Sequence, residues 1–288
     1  MYYCLIHFGF SVFGTECTDP ILAPRASQIT DKLFHILERA VARHKPISLL
    51  ATQALYRSSL DNTLTPEELQ IFLTKFHYQR IAVRLLIGHC VALYKPLPME
   101  NMIGIFCTKT PIEDIVLESV QLAEELAMIT YGCVPPVELS CSTETGGDLL
   151  YIPSHLQHII FELIKNSMRA VLEKEQARIG ADKIISTATL PPITVHWDLT
   201  PDHCLFEIRD QGLGIHPEQL KNCFLFHYST APKPKNDEVV MAGYGYGLSL
   251  SRLYARFLKG DIWIESEYGV GTSVFIKLKA NWDPDELI

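Results

Sequence analysis

The sequence predicts an α+β fold in which a helical bundle precedes an α/β domain with a mixed sheet. Residues 27–131 repeat apolar side chains at spacings of three and four, which is typical of amphipathic helices. After two prolines and a Thr/Ser/Gly-rich loop, strand-like runs first alternate with helices and then close as a hairpin. We therefore predict a helical domain over residues 1–135, an α/β domain over 136–280 and a short tail over 281–288.

The helical half contains three long segments with helical periodicity. Thr65 and Thr110 each precede a proline and acidic residues, so both are predicted to be N-caps with proline at the first helical position. The apolar residues of the three segments are expected to form the core of a four-helix-type bundle. These segments are DKLFHILERAVARH (31–44), TPEELQIFLTKFHYQRIAVRLLIGHCVALY (65–94) and TPIEDIVLESVQLAEELAMITYG (110–132).

The second half alternates helical and strand-like patterns. A helix is predicted over 154–179, and two strands joined by a Thr-Pro-Asp-His turn follow it. A polar loop then leads into another helix and a terminal hairpin, with the helices expected on one face of the sheet. The strands are ITVHWDL (193–199) and CLFEIRD (204–210), and the later elements are HPEQLKNCF (216–224), LSLSRLYARFL (248–258) and DIWIESEYGVGTSVFIKLK (261–279).

Composition limits the classes of function. The 288 residues are 48% hydrophobic, enough for two domains with apolar cores, and a net charge of −8 without a long basic run argues against nucleic-acid binding through phosphate neutralisation. The eight cysteines are scattered without a C-x-x-C pair, so we expect reduced thiols rather than a zinc site or disulfides. The apolar opening segment is too short for a membrane span. A signal or transit peptide would carry basic residues, whereas no Lys or Arg precedes Arg25.

The helix predicted over 154–179 carries a polar stripe opposite an apolar one. Periodicity alone favours a solvated face for the polar stripe. An Asn in the middle of a helix, beside a Lys and one turn after a Glu, is nevertheless the combination of oxygen ligand, cation and base that a metal-nucleotide would use. The stripe consists of His158, Glu162, Lys165, Asn166 and Arg169.

Two further motifs lie at strand ends. In EIRDQGLGI a strand ends at Asp210 and continues through Gly212 and Gly214, whose missing side chains would let the backbone approach a flat ligand while Asp210 accepts a hydrogen bond from an exocyclic amine. In ESEYGVGT a glycine turn precedes Thr272, whose hydroxyl could bind a base. Each motif is also compatible with an ordinary turn.

The segment MAGYGYGLSLSRL places three glycines before a helix. Gly243, Gly245 and Gly247 would expose backbone amides at the helix N-terminus, where phosphates bind. The motif is neither a P-loop nor a good dinucleotide fingerprint, because no Gly-Lys-Ser/Thr follows and no strand precedes it. The preceding polar loop over 226–243 is typical either of a lid over a ligand or of an exposed loop.

The order of these four motifs is more specific than any one of them. It resembles the GHKL, or Bergerat, nucleotide-binding fold of histidine kinases, type II topoisomerases, ATP-driven dimeric chaperones and MutL proteins. Within that superfamily, YIPSHLQHIIFELIKNSMRA, YSTAPKP and GYGYGLSLSRLYARFLKGD resemble the mitochondrial 2-oxo-acid dehydrogenase kinases, and the pyruvate dehydrogenase kinases in particular. The bundle segment FLTKFHYQRIAVRLLIGHCVAL is similar to a bundle helix of that family, so the resemblance covers residues 33–280.

The resemblance implies a site for ATP and Mg²⁺. Asn166 would hold Mg²⁺, Lys165 and Arg169 would lie near the phosphates, and Asp210 would bind adenine. Glu162 would orient or deprotonate a substrate serine, and His158, one turn earlier, would polarise Glu162. The other nucleotide-binding residues implied are Gly212, Gly214, Ser229, Thr230, Gly243, Tyr244, Gly245, Tyr246, Gly247, Leu248 and Thr272.

The function implied is that of a protein-serine kinase in the mitochondrial matrix, which phosphorylates and inactivates the E1α subunit of pyruvate dehydrogenase. The alternatives are a kinase of the branched-chain 2-oxo-acid dehydrogenase complex and a nucleotide-binding regulatory subunit without catalysis. His77 and His89 lack the acidic neighbour typical of a phospho-accepting histidine, which favours direct transfer to serine. The implied partners also include the lipoyl domain of E2 and a second copy or a related kinase in a dimer.

The sequence departs from the family pattern in three places, namely at its start, in its C-terminal tail and within one motif. The first bundle helix is expected to be missing or replaced by MYYCLIHFGFSVFGTEC, and the C-terminal tail is reduced to NWDPDELI. These two departures put dimer contacts and lipoyl-domain docking in question. Gln211 and Leu213 stand where the mammalian kinases have Arg and Gly, which remains compatible with Asp-x-Gly-x-Gly.

Overall fold

The computed structural model describes most of the chain and divides it into two compact units. One unit comprises Met1–Thr108 with Trp282–Ile288, and the other comprises Lys109–Asn281. The part of the chain that the structure describes contains six α-helices and two β-sheets, which confirms the predicted α+β class. The described residues are 23–44, 65–95, 100–142, 147–180, 183–226, 228, 245–280 and 282.

The first unit is built on two packed helices. Helix α1 (Ala23–His44) packs against helix α2 (Pro66–Tyr94) through stacked rings of Phe34 and Tyr94, whose centroids are 3.7 Å apart. Thr65 begins α2 with a capping box, since its hydroxyl accepts from the Glu68 amide and the Glu68 carboxylate accepts from the Thr65 amide, which confirms that predicted N-cap. A two-stranded hairpin follows, formed by β1 (Met102–Ile103) and β2 (Phe106–Cys107).

The second unit contains a five-stranded sheet and four helices. The strand order is β3-β4-β5-β7-β6, in which β3 and β4 run parallel and the other neighbouring pairs run antiparallel, so the predicted mixed sheet is confirmed. The elements, in chain order, are α3 (Ile112–Tyr131), β3 (Val137–Ser142), α4 (Pro153–Ile179), β4 (Ile193–Leu199), β5 (His203–Asp210), α5 (Pro217–Leu220), α6 (Gly247–Phe257), β6 (Asp261–Glu267) and β7 (Gly271–Lys279).

Helix α3 belongs to this second unit, although the sequence predicts a domain boundary only at residue 135; the predicted domain limits stay a prediction. Its start differs from the sequence prediction, which was wrong in making Thr110 the N-cap. Pro111 is the N-cap residue and provides no side-chain hydrogen bond. Thr110 lies before the helix, and its backbone amide donates a hydrogen bond to the Leu149 carbonyl at 3.0 Å.

Helix α4 is the central helix of the second unit. Its apolar stripe is buried, and α4 packs against α3, α6 and the inner face of the sheet. That sheet face is formed by alternating buried residues such as Phe206 and Ile208 of β5, and α6 also packs on it. Burial of one stripe fixes which side of α4 the opposite polar stripe occupies. The stripe comprises Leu156, Ile159, Ile160, Leu163 and Ile164, each at most 1% exposed.

No helix in the described ranges combines the length and the apolar character that crossing a membrane requires.

The burial of α4 predicts a large stability cost for truncating its apolar stripe. Ile160→Ala removes a side chain that is 0% exposed, so we expect it to lower the free energy of unfolding by about 2–5 kcal/mol. The matched control is Ile184→Ala, at a position that is 94% exposed, where we expect a change below about 0.5 kcal/mol. Denaturant-induced unfolding followed by circular dichroism measures both; equal effects would contradict the packing described.

Candidate functional site

The second unit contains a cavity of about 420 Å³ beside the polar stripe of α4. Its walls also include the end of β5, the start of α6 and the hairpin formed by β6 and β7. Cavities of this size accommodate small ligands such as cofactors. The lining residues on which the site depends are Glu162, Lys165, Asn166, Ser167, Arg169, Glu173, Asp210, Leu213, Gly214, Cys223, Tyr228, Gly245, Gly247, Leu248, Tyr268 and Thr272.

The cavity brings together most of the residues that the sequence analysis singled out. Ten of them line it: Glu162, Lys165, Asn166, Arg169, Asp210, Gly214, Gly245, Gly247, Leu248 and Thr272. Three lie outside its lining: His158, Gly212 and Tyr246. Four others lie outside the described residues: Ser229, Thr230, Gly243 and Tyr244.

Asp210 is a buried carboxylate at one end of the cavity. It is the last residue of β5 and pairs across the sheet with Thr272 of β7, and it is only 4% exposed. Burial raises its pKa to about 6, although hydrogen bonds from the Gly212 amide, at 2.8 Å, and from Ser167 oppose that rise. Asp210 is therefore a hydrogen-bond acceptor held in a water-poor wall of the cavity.

The two glycines after Asp210 let the turn pass between α4 and the β6–β7 hairpin. A Cβ on Gly212 would lie 2.6 Å from the Ala170 Cβ, so this turn packs directly on α4. Gly214 has a φ of +66°, and a Cβ there would lie 2.1 Å from the Glu267 carbonyl oxygen. Gly212 thus serves packing on the helix, while Gly214 lines the cavity.

Glu162 lies at the other end of the cavity, against the first residue of α6. A Cβ on Gly247 would lie 1.9 Å from the Glu162 Oε2, so a side chain there would displace this carboxylate from its position. The start of a helix carries partial positive charge, which stabilises a carboxylate there. The Lys165 Nζ donates to the Glu162 Oε1 at 2.6 Å, so the two charges form an ion pair.

His158 lies one turn before Glu162, beneath the ring of Tyr254. Their ring centroids are 5.2 Å apart in an edge-on arrangement, and the His158 Nε2 is buried without a hydrogen bond to any residue in the described ranges. Burial lowers the pKa of His158, while the negative charge of Glu162 opposes that effect, so the imidazole is neutral at pH 7. His158 therefore does not line the cavity, and its link to Glu162 is an electrostatic interaction.

Three polar residues of α4 were missed from the sequence. Ser167 hydrogen-bonds Asp210, and Arg169 pairs with Glu173, at 3.5 Å. Lys174 donates to backbone carbonyls of two separate turns. Glu173 lies four residues after Arg169 and continues the spacing that joins the polar stripe, so extending the stripe by one turn would have found it, whereas Lys174 lies five residues after Arg169 and falls outside that spacing.

The arrangement suits a ligand with a planar N–H donor at one end and negative charge at the other. Glu162 touches the start of α6 and Ala170 touches the Asp210 turn, and these positions are about 12 Å apart at 1.5 Å per helical residue. Between them, Lys165, Arg169 and the α6 N-terminus provide positive charge. Among the described residues, no three His, Cys, Asp or Glu side chains form a cluster that could hold a metal ion. A divalent cation would therefore depend on oxygen atoms of the ligand beside Asn166.

Two family models match the chain over separate ranges. The model described as histidine kinase-, DNA gyrase B-, and HSP90-like ATPase matches residues 151–281, which include all of the cavity-lining residues named above. The model described as mitochondrial branched-chain alpha-ketoacid dehydrogenase kinase matches residues 19–107. The α/β part of the chain is thus an ATPase-type domain of the predicted superfamily.

Similar proteins are mitochondrial pyruvate dehydrogenase (acetyl-transferring) kinases. The chain is 38% identical to that of Drosophila melanogaster over 75% of its own length and 53% of the relative's. It is 33% identical to that of Arabidopsis thaliana over 89% of its own length and 70% of the relative's. It is 30% identical to human isozyme 3 over 90% of its own length and 65% of the relative's. The chain thus spans between about half and two thirds of the length of these curated relatives.

The raised pKa of Asp210 predicts a pH-dependent cost in stability. The folded protein holds the Asp210 proton more tightly than the unfolded chain does, so proton binding at Asp210 stabilises the folded state. This stabilisation is complete below about pH 4 and is lost as pH rises through about 6. Raising the pKa from 3.8 to about 6 corresponds to about 3 kcal/mol. The side chain of the Asp210→Asn variant cannot ionise. The free energy of unfolding of the variant minus that of wild type should therefore rise by about 3 kcal/mol from pH 4 to pH 7.5.

Denaturant unfolding of wild type and variant at the two pH values measures this difference. The control is Asp202→Asn, which removes an exposed carboxylate outside the cavity and should keep a constant difference from wild type. A constant difference for Asp210→Asn as well would contradict the burial of a proton-binding carboxylate.

Proposed function

The chain belongs to the family of mitochondrial 2-oxo-acid dehydrogenase kinases, and we propose that it is an ATP-dependent protein-serine kinase that phosphorylates and inactivates the E1α subunit of pyruvate dehydrogenase. The observation that carries this proposal is one cavity that combines a buried acceptor, a mid-helix Asn and an ion-paired Glu and Lys at the start of a helix. The first feature suits adenine, and the others suit phosphate transfer.

ATP would lie along α4 with its base at Asp210. The carboxylate of Asp210 would accept a hydrogen bond from the exocyclic amine of adenine, and Thr272 would bind the same base through its hydroxyl. Lys165, Arg169 and the amides at the start of α6 would bind the phosphates. Nearby nucleotide contacts are proposed for Gly212, Gly214, Gly245, Tyr246, Gly247 and Leu248, and for Ser229, Thr230, Gly243 and Tyr244 beyond the described residues.

The residues present fit a Mg²⁺ ion that arrives with the nucleotide. The Asn166 carboxamide offers one hard oxygen in the cavity, and Mg²⁺ in phosphoryl-transfer sites commonly takes few protein ligands and completes its shell with phosphate oxygens and water. When bound, the ion would neutralise phosphate charge. Asn166 would hold this ion, while Lys165 and Arg169 supply the fixed positive charge of the protein.

Glu162 is the proposed catalytic base or orienting group. The serine oxygen would attack the γ-phosphorus, its proton would pass to Glu162, and the bond from that phosphorus to the bridging oxygen of the leaving ADP would break. Lys165 is paired with this carboxylate, so it would turn to the phosphates before Glu162 accepts the proton. His158 would keep Glu162 in place as a neutral positioning residue.

Direct transfer to a protein serine is the proposed reaction rather than autophosphorylation on histidine. His77 and His89 of α2 are each 3% exposed, so neither side chain is accessible to a nucleotide site. Neither has an acidic residue next to it in the sequence. Both observations favour the serine of a separate protein as the acceptor.

The substrate complex and the remaining partners are proposals from the family. The relatives' names favour pyruvate dehydrogenase, whereas the model matched over residues 19–107 is named after the branched-chain complex, which is the second candidate. We propose location in the mitochondrial matrix, docking to the lipoyl domain of E2 and assembly as a dimer with itself or a related kinase. A regulatory subunit without catalysis is disfavoured, because Glu162 and Asn166 both line the cavity.

Glu162→Gln should separate catalysis from nucleotide binding. The amide keeps the shape of the side chain but cannot accept a proton, so phosphate transfer should fall about 10²–10⁴-fold, while Mg-ATP should bind at least as tightly as to wild type because Lys165 loses its competing carboxylate. Transfer of labelled phosphate to E1α and calorimetric titration with ATP measure the two quantities. Glu125→Gln, at an exposed position of α3, is the control and should keep wild-type activity. Equal transfer by both variants would remove Glu162 from the chemistry.

Two purified E1 proteins distinguish the substrate classes. With Mg-ATP, we expect incorporation of phosphate into pyruvate dehydrogenase E1α and at least tenfold slower incorporation into branched-chain E1α, measured with and without the lipoyl-bearing E2 core. The reverse preference would transfer the proposal to the branched-chain complex. Labelling of neither E1 protein, with ATP still bound, would favour the regulatory subunit.

A further inference from the structure

Lys174 contacts four backbone carbonyls, and the proposed catalytic roles explain none of these contacts. Its Nζ lies 2.9 Å from the Gln211 oxygen, 3.0 Å from the Gly212 oxygen, 3.0 Å from the Gly269 oxygen and 3.3 Å from the Val270 oxygen. The first two carbonyls belong to the turn after Asp210, and the other two belong to the turn between β6 and β7. One ammonium group therefore joins α4 to two turns.

These two turns together form the Asp210 end of the cavity. The Gly269 amide donates to the Leu213 carbonyl at 2.7 Å, and the Ile215 amide donates to the Ser266 hydroxyl at 2.8 Å. Leu213 and Tyr268 line the cavity from the two turns. A change in the distance between the turns would therefore change the width of the cavity at the place proposed for adenine.

The geometry resembles carbonyl coordination of a cation. An ammonium group has three N–H donors, whereas four carbonyl oxygens surround this one, so the attraction is partly that of a charge for four dipoles. Backbone carbonyls bind monovalent cations such as K⁺ in the same way. Three of the four contacts are exposed, so without the ammonium water would take its place and the bridge from α4 to the two turns would be lost.

We propose that Lys174 is a positioning residue for the nucleotide, in which a tethered ammonium acts as a built-in monovalent cation that holds the two turns at the spacing adenine requires. This role rests on the proposed binding of ATP. Lys174 acts through the turns, and the affinity for ATP should depend on it more strongly than the rate of phosphate transfer at saturating ATP does.

Lys174→Ala removes the ammonium and leaves space for a free cation. In a buffer whose only monovalent cation is bulky, the variant should bind Mg-ATP at least tenfold more weakly than wild type, as measured by calorimetry. In each buffer, the affinity of the variant for Mg-ATP is divided by that of wild type. Added methylammonium or K⁺ should recover at least half of the lost affinity, measured on a logarithmic scale. A role in stability alone predicts no such restoration by a cation.

The control is Lys183→Ala, an exposed lysine just beyond α4, which should bind ATP as wild type does with or without the added cations. Circular dichroism checks that each variant is folded; if Lys174→Ala is not, Lys174→Met keeps most of the packed stem and should still show the loss of affinity. Folded Lys174 variants with wild-type affinity, or a loss in Lys174→Ala that neither cation restores, would overturn the inference. Wild type that binds no ATP would instead overturn the proposed function.

Discussion

The packing of one helix constrains the rest of the second unit. The apolar stripe of α4 is buried against α3, α6 and the sheet, which leaves its polar stripe one direction in which to point. The end of β5 and the start of α6 then meet that stripe at Ala170 and Glu162, about two helical turns apart. The length of the cavity is therefore measured along α4, and a rigid helix holds its two ends apart.

The charged side chains around the cavity are paired with one another. Glu162 is neutralised by Lys165, Arg169 is paired with Glu173, and Asp210 is held by hydrogen bonds from the protein. A polyanionic ligand would replace carboxylates as the partner of the two cations, so its affinity is the difference between two sets of ion pairs. Binding of such a ligand would therefore exchange the partners of the cations and would not bury an unpaired charge.

The sequence predicted the elements and most of the cavity because both depend on local patterns. Periodicity located α4, and glycines after strands or before a helix located the turns and α6. The start of α3 was missed because the Thr110 amide is bound by Leu149, whose position depends on the tertiary fold. Lys174 was missed for the same reason, since its carbonyl partners lie 37 to 96 residues away. Spacing along a helix predicts the face on which a side chain lies, whereas only the tertiary fold determines its hydrogen-bond partners.

The pairing of β5 with β7 also has a consequence for how the chain folds. It joins Asp210 to Thr272 across about 60 residues of intervening chain, and that chain includes α6, so closing this loop costs entropy that local helix formation does not. Long-range antiparallel pairing of this kind slows folding. The two strands form the Asp210 end of the cavity only once they are paired, so a ligand bound there selects the paired chain and protects it from unfolding by mass action.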